Sequence, residues 1–522
     1  LEDLHWADVS TVDLLAYVGA RLDALRVLLL TTYRPSEMRI ARHPFLAVHL
    51  ELQARGLGSE IALGFLGERD VAELLARRYP VLLHAQTEGS PLFLVDLLRW
   101  LGSRGTIADF EGHWRLTGSM PDVARELPPS MRGMIARKID QLEEGDRRLL
   151  AAASVQGVAF DSAVVADALA LDQADVEERL ITLDRVYAFV QAEGERELPD
   201  RTLSMRYRFV HVLYQNALHA ALAPSRRVSY AARVATALEA RHGAQVGELA
   251  TELAVLWERA REPARAAHYF GLAAAHAAAV FAYAESATLG ERGLAQVALV
   301  PDGPERIALE IGLRVTLGFT HVVMRGFNHP ETFAQMQRAH ELSRASGRTP
   351  QLVPVLWGMV VYHIASGQAP RAHAYAEEML AIAADAGQPM LTAMAESAMS
   401  GAALFRGELA RAIASQRRAE AIATPELRRT MRAIVGSDPL MLSRCQSARA
   451  LYYSGQVDEA RALFERSMAD AQASRDPRER AHVALHLAEF ELYVGDPAAA
   501  ERVAVEALRA CDEYGVVSER LW

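Results

Sequence analysis

The sequence predicts a mainly α-helical protein with a short α/β section at its start, and three observations lead there. The first is the succession of apolar strand, amphipathic helix and apolar strand within the opening residues, the signature of α/β winding. The second is a composition of 51% hydrophobic but only 7% aromatic residues. Alanine supplies much of the difference, as in "LAAAHAAAVFAYA" from Leu272 to Ala284, and such sequences favour closely packed helices. The third is a recurrence of helix pairs with glycine turns through the second half. At 522 residues the chain is too long for one core, and about three domains are expected.

Residues 1–125 come first. The chain opens in "LEDLHWAD", the tail of an apolar strand running into Glu2 and Asp3. Adjacent acids at a strand end can hold a hydrated magnesium ion and orient the water that attacks a terminal phosphate. Val9 to Leu25 read as an amphipathic helix capped by Asp8 or Ser10, and "RVLLLTTY" as a buried parallel strand. No G-x-x-x-x-G-K-[ST] occurs in the sequence, and the only lysine, Lys138, follows Arg137 rather than a glycine. The expected phosphate loop therefore belongs ahead of Leu1.

Three segments in order, "LEDLHWAD", "LLLTTYRPSE" and "TEGSPLFLVDLL", resemble the second half of the signal-transducing AAA-like (STAND) ATPases. The resemblance implies that Glu2 and Asp3 are the Walker B acids, catalytic and holding Mg2+ through water. It implies that Arg34 senses the terminal phosphate of ATP, and that Gly89, Ser90 and Pro91 form the lid that packs on the adenine of ATP or ADP. Glu2 stands where many relatives carry aspartate, which puts its share of the acid pair in doubt. His5 and Trp6 suit packing on the following helix as well as contact with nucleotide.

Residues 126–228 form the next unit. "LPPSMRGMIARKIDQLEEGDRRLLAAASVQGVAFD" from Leu127 begins with prolines and continues as two amphipathic helices broken at Gly145 and Gly157. A helix around Asp175 to Leu183 precedes two alternating stretches, "RVYAFVQAEGE" and "MRYRFVH", joined by a polar turn with Pro199 and Asp200. Helices followed by a hairpin describe a winged helix. "YRFVHVLYQNALHAALAPSRR" resembles the end of the winged domain in the same ATPases, which implies that His211 reaches the nucleotide's β-phosphate in the resting state. The other reading of His211 is a packed residue at a strand end. The helix "QADVEERLITLD" carries more acids than bases, which argues against insertion into a DNA groove.

From 229 to 522 strand patterns vanish and helices recur around Gly367, Gly407, Gly455 and Gly495. Their spacing exceeds the roughly 34 residues of a minimal tetratricopeptide repeat but suits helix pairs. Small residues at Ala460 and Ala500 mark where paired helices touch, and Leu463 and Phe464 mark where the next pair stacks. Stacking would build an α-solenoid whose concave face takes a protein, peptide or small-molecule ligand. His363, His373, Met379 and Met394 read as packing residues. "GFNHPETFAQMQRAHELSRASGRTPQLVPVLWG" resembles the array of bacterial proteins that join a class III nucleotidyl cyclase, this ATPase module and such repeats. Related chains carry a DNA-binding domain, a kinase or a LuxR-like helix-turn-helix as output.

A net charge of −10 gives no general attraction to nucleic acid or to an anionic membrane. Cys445 and Cys511 lack metal-ligand spacing and read as buried thiols of a reducing cytoplasm. The expectation is a cytoplasmic, nucleotide-dependent regulatory switch with a repeat sensor, controlling an attached output domain and capable of nucleotide-dependent self-association. The alternative is an interaction scaffold with a vestigial ATPase remnant. A self-contained hydrolase finds no nucleophile with base and orienter.

Overall fold

The computed structural model describes residues 1–522 apart from 3, 5–6, 8, 20, 22–25, 34, 36–37, 39–42, 65, 68, 71–90, 92–93, 96, 99–100, 102–106, 111–112, 117–128, 348–351, 475, 515 and 517–522. The chain is mainly helical and forms two compact units, Leu1–Val246 and Gly247–Trp522.

In the first unit the Leu1 amino group donates to Leu30 O (2.8 Å), and the Thr32 and Leu4 amides donate to Leu1 O (3.0 Å) and Thr32 O (2.9 Å). The two apolar segments expected as neighbouring strands thus run side by side in the parallel sense, though neither carries a regular strand among its described residues. Helix α1 (Val9–Gly19) supplies Val12 and Leu15, and α2 (Phe45–Ala54) supplies Phe45, to a small core with Leu4 and Met38. The expected continuation of α1 to Leu25 lies largely outside the described residues. Further on, β1 (Ile107–Phe110) and β2 (His113–Leu116) pair antiparallel from Ile107↔Leu116 to Phe110↔His113.

The same unit continues with α3 (Pro129–Asp140), α4 (Glu144–Gln156), β3 (Ala159–Asp161), α5 (Ser162–Leu169), α6 (Gln173–Arg185), β4 (Val190–Glu197), β5 (Leu203–Phe209), α7 (Val212–Ala221) and α8 (Pro224–His242). The strands form one antiparallel sheet in the order β3-β5-β4, with a bulge in β4 between Ala192 and Gly194. Phe160 of β3 packs on Tyr207 and Phe209 of β5, all three buried, with ring centroids 6.0 and 5.4 Å away. Asp172 caps α6 by accepting from the amides of Ala174 and Asp175.

The helix break expected at Gly145 falls instead between Asp140 and Glu144. Gly145 sits in the first turn of α4, where a Cβ would meet the Arg179 guanidinium that pairs with Asp146 at 3.2 Å. Gly157 does end α4. Helix α8, which straddles the expected boundary at 228/229, is tied to α5: Arg233 donates to Ala168 O (3.2 Å) and Arg241 pairs with Asp167 (2.8 Å).

The second unit is an array of helices, α9 (Ala250–Arg259), α10 (Pro263–Ala279), α11 (Tyr283–Val297), α12 (Pro304–Arg325), α13 (Pro330–Ala345), α14 (Leu352–Ala365), α15 (Ala369–Ala386), α16 (Pro389–Phe405), α17 (Leu409–Ile422), α18 (Pro425–Val435), α19 (Pro439–Tyr453), α20 (Val457–Ser474), α21 (Pro477–Tyr493) and α22 (Pro497–Tyr514). No strand occurs among its described residues. Gly367, Gly407, Gly455 and Gly495 turn the chain between paired helices at φ of 70°, 77°, 79° and 92°, a region that side chains resist. Two earlier turns hold Arg261 and Phe281 at φ of 60° and 64° without that relief.

Ala460, Leu463, Phe464 and Ala500 are buried, as their places in the repeat require. By length and composition α12 is the one helix among the described residues that could cross a membrane, and most of its apolar stretch is buried within the array. The array curls far enough for its early and late helices to meet: Tyr283 of α11 and Val323 of α12 share a buried cluster with Ala481 of α21, Cys511 of α22 and Val516.

Candidate functional site

Of the residues expected around a nucleotide, Asp3, Arg34, Gly89 and Ser90 lie outside the described residues, as do His5 and Trp6. Glu2 is exposed beside the backbone pairing of Leu1 with residues 30 and 32, and Pro91 is exposed in a helical segment. Hydrated magnesium takes several oxygen ligands. Glu2 is a single exposed carboxylate, and no group of three His, Cys, Asp or Glu side chains able to hold a metal occurs among the described residues.

His211 is fully described. It lies two residues past β5 in an extended conformation and caps α7, its Nδ1 accepting the Leu213 amide at 3.1 Å. An accepting Nδ1 places the proton of the neutral ring on Nε2. The side chain is buried and lies edge-on to Tyr214, with centroids 6.3 Å apart. Tyr214 in turn accepts from Lys138 Nζ at 3.2 Å, and burial pushes the Tyr214 hydroxyl up to about 12. Lys138 also donates to Ala188 O (3.2 Å) and stands 5.0 Å from the Phe189 ring. The chain's lone lysine thus fastens α3 to the start of the hairpin, with His211 one residue contact away through Tyr214.

The array contains the other candidate. Helices α14, α16, α19 and α21 turn one stripe each toward a common interior, where Trp357, Ile364, Gly401, Phe405, Leu442 and Leu485 line a half-open cavity of about 100 Å³. Most of its polar groups lie on α19 and α21, as Ser443, Gln446, Arg449, His482 and His486, with Ser397 on α16. Arg449 donates to Gln446 Oε1 (3.2 Å) and to Glu489 Oε1 (3.4 Å), while its buried Nε has no hydrogen-bond partner among the described residues. Glu489 accepts from Tyr493 Oη (2.9 Å) and lies 3.5 Å from His486 Nδ1. The hydrogen bond from His486, with Arg449 nearby, holds the Glu489 carboxyl down at about 2. Burial takes His486 down to about 4, so its ring is neutral near pH 7.

A second, wider cavity of about 480 Å³ lies between early and late helices, bounded by Phe281, Phe319, Arg432 and Arg478 among others. Part of its wall, Arg432, Asp476 and Arg478, belongs to an ionic network. Arg432 donates to both oxygens of Glu479 (2.8 Å each), and Glu479 also accepts the Asp438 amide at 2.8 Å. Asp438 caps α19 through the Leu440 amide (3.0 Å) and takes Arg428 Nε at 2.7 Å. Asp476 caps α21 through the amides of Arg478 and Glu479, and burial followed by the nearby Glu479 charge raises its carboxyl to about 6. Arg478, buried, donates to Ser437 Oγ at 3.3 Å and stands 5.6 Å from the Phe327 ring.

The sequence reading does not find either polar set, although one signal points at the second: Asp438-Pro439 and Asp476-Pro477 are cap-and-proline helix starts. Of the four residues expected to pack, His363, Met379 and Met394 are buried, and His363 stacks on Tyr375 at 5.5 Å. His373 instead joins a charged cluster, 3.4 Å from Glu408 and 3.2 Å from Arg411. Both thiols are buried, and burial drives Cys445 up to about 12.

No family model matches the chain, and no curated protein matches it. Solved structures similar in fold include the Rap conjugation gene regulator of plasmid pLS20 in complex with the Phr* peptide, at 14% identity over 55% of this chain and 90% of that one, TM-score 0.39. A signal transduction ATPase with numerous domains (STAND) and a tetratricopeptide repeat sensor, from Pyrococcus horikoshii, aligns at 11% identity over 97% of this chain and 82% of its own, TM-score 0.33. NprR in complex with its cognate peptide NprX aligns at 13% identity over 78% of this chain and 88% of its own, TM-score 0.33. Similarities this distant carry no function across.

Proposed function

We propose that the chain is a cytoplasmic regulatory module of the STAND type, in which a nucleotide-dependent switch is coupled to a tetratricopeptide-like sensor and controls an attached output domain. The observation that carries the reading is the array's interior. Four inner helices line a half-open, ligand-sized apolar cavity, and early and late helices of the array meet; a sensor needs such a space, which a plain scaffold does not. Such an arrangement responds to a bound ligand by changing its curvature, which is what a sensor does.

We assign the switch to residues 126–228. Their helices and three-stranded antiparallel sheet support the winged-helix reading, with His211 between the last strand and the following helix. The contact of His211 with the nucleotide's diphosphate is the one that the resemblance implies. ATP or ADP with Mg2+ is the proposed cofactor, held by Glu2, Asp3, Arg34 and the lid residues Gly89, Ser90 and Pro91 together with a phosphate loop. The output domain, cyclase or DNA-binding, is read from the resemblance alone.

Hydrogen exchange of the chain with millimolar Mg-ADP tests the switch. Protection should rise across residues 209–221 and fail to rise in His211→Ala, while affinity stays weak because the 522 residues contain no phosphate-loop sequence. Unchanged exchange at 209–221 in the wild-type chain would remove the switch and leave an interaction scaffold.

A further inference from the structure

We infer that the smaller array cavity is a binding site for an uncharged small molecule with an apolar, ring-sized body and a head that both accepts and donates a hydrogen bond, such as a hydroxyl or primary amide. The inference rests on the array being a sensor and names what it senses.

Size comes first. A cavity of about 100 Å³ is of the order of one that takes a benzene ring, ~150 Å³. Most of its wall is apolar, from Ile364, Phe405, Leu442, Leu485 and the Trp357 ring. Gly401 keeps the space open: a Cβ there would come within 3.3 Å of Ile364 Cδ1.

The head is defined by the groups on α19 and α21. Arg449 Nε is a buried donor without a hydrogen-bond partner among the described residues, and a buried donor left unmade is costly. The Arg449 side chain lines the cavity, and the proposed head places its oxygen against that side chain. His486 supplies the opposite function: its Nδ1 faces the Glu489 carboxylate at 3.5 Å. The proton therefore sits on Nδ1, and Nε2 is left as an acceptor. The ring is neutral near pH 7, since burial depresses its basicity to about 4. One face of the site thus donates and the other accepts.

Charge excludes ionised heads. The Arg449 guanidinium already faces Glu489 at 3.4 Å, and Glu489 stays ionised with the Tyr493 hydroxyl donating to it at 2.9 Å. A ligand carboxylate would meet Glu489 as a second negative charge across an apolar floor. An ammonium would meet Arg449 in the same way.

The test uses four ring compounds of matched size on the whole chain, with dissociation constants from ligand-observed NMR: benzyl alcohol, toluene, benzoate and benzylammonium. Benzyl alcohol should bind at least several-fold more tightly than toluene, and the two ions should show no saturable binding. Gly401→Leu should abolish benzyl alcohol binding by filling the space, and Ala398→Leu, on the same helix and lining the same cavity, serves should that variant fail to fold. Arg449→Met should bring benzyl alcohol to the affinity of toluene and leave toluene unchanged. The inference is overturned by absence of benzyl alcohol binding, by binding that survives both filling variants, or by benzoate binding as tightly as the alcohol. No nucleotide enters these titrations, so a negative exchange result at residues 209–221 leaves their outcome untouched.

Discussion

The array holds two interiors built on opposite principles. One is walled by apolar stripes of α14, α16, α19 and α21 with a few polar groups at its edge; the other is walled in part by Arg432, Asp476 and Arg478, members of an ionic network with Arg428, Asp438 and Glu479. Burying charge is costly unless every partner is met, and a satisfied network fixes one geometry more sharply than apolar contacts do. The ionic interior ties α18, α19 and α21 into a fixed joint, whereas the apolar interior leaves space. The difference teaches where this solenoid is rigid and where it can accommodate a guest.

Removing Glu479 should break that contrast most severely. Glu479→Ala strands the Arg432 guanidinium and the Asp438 amide in a site where the carboxylate itself is fully buried, and losing one member of a buried pair costs about 3–5 kcal/mol. Chemical denaturation of the two proteins measures it; a loss below about 1 kcal/mol would mean that the network is not the joint.

Proton linkage sharpens the same contrast, because the two interiors should respond to pH with opposite signs. Asp476 carries a raised carboxyl, at about 6 against an ordinary 3.8. Its contribution is fully present below the ordinary value and is lost as pH rises through about 6. His486 is depressed to about 4 from 6.5, so its contribution is present above 6.5 and is lost as pH falls through 4. Each shift is worth up to about 3 kcal/mol. Stability against pH between 4 and 6.5 should rise more steeply in Asp476→Asn and flatten or fall in His486→Phe. Identical slopes in both variants and the parent would contradict this.

The turns give the smallest effects. Gly455 stands at φ 79° with open space where a Cβ would go, so Gly455→Val should cost about 1–3 kcal/mol through backbone strain alone. Glu459, four residues on and exposed, pairs with exposed Arg417 at 3.3 Å. Glu459→Ala should stay within about 0.5 kcal/mol, and equal melting shifts for the two would show that the turn conformation is misassigned.

Local signals were the legible ones. The turn glycines were readable because a reversal between paired helices needs a positive φ, and the buried positions Ala460, Leu463 and Phe464 followed from helical spacing. Gly145 misled for the complementary reason: glycine there makes room for Arg179, a residue that sequence proximity does not reveal. His211 was readable as a strand-end residue, but its capping bond to Leu213 was not. The sets around Arg449 and Glu479 were invisible because each joins side chains of separate helices whose register depends on the superhelical turn. Arg432 and Glu479 are 47 positions apart, and Arg449 and Glu489 are 40 apart.

The meeting of Tyr283 and Val323 with Ala481, Cys511 and Val516 turns a spring into a hoop between those points. A linear solenoid can stretch, and its coils can melt one after another from an end, each answering only to its neighbours. A hoop cannot change its pitch at one place alone: widening either interior must part the join or tighten the other. Guest size and join contact then become readings of a single mechanical coordinate, and the helices between Tyr283 and Val516 gain or lose their order together.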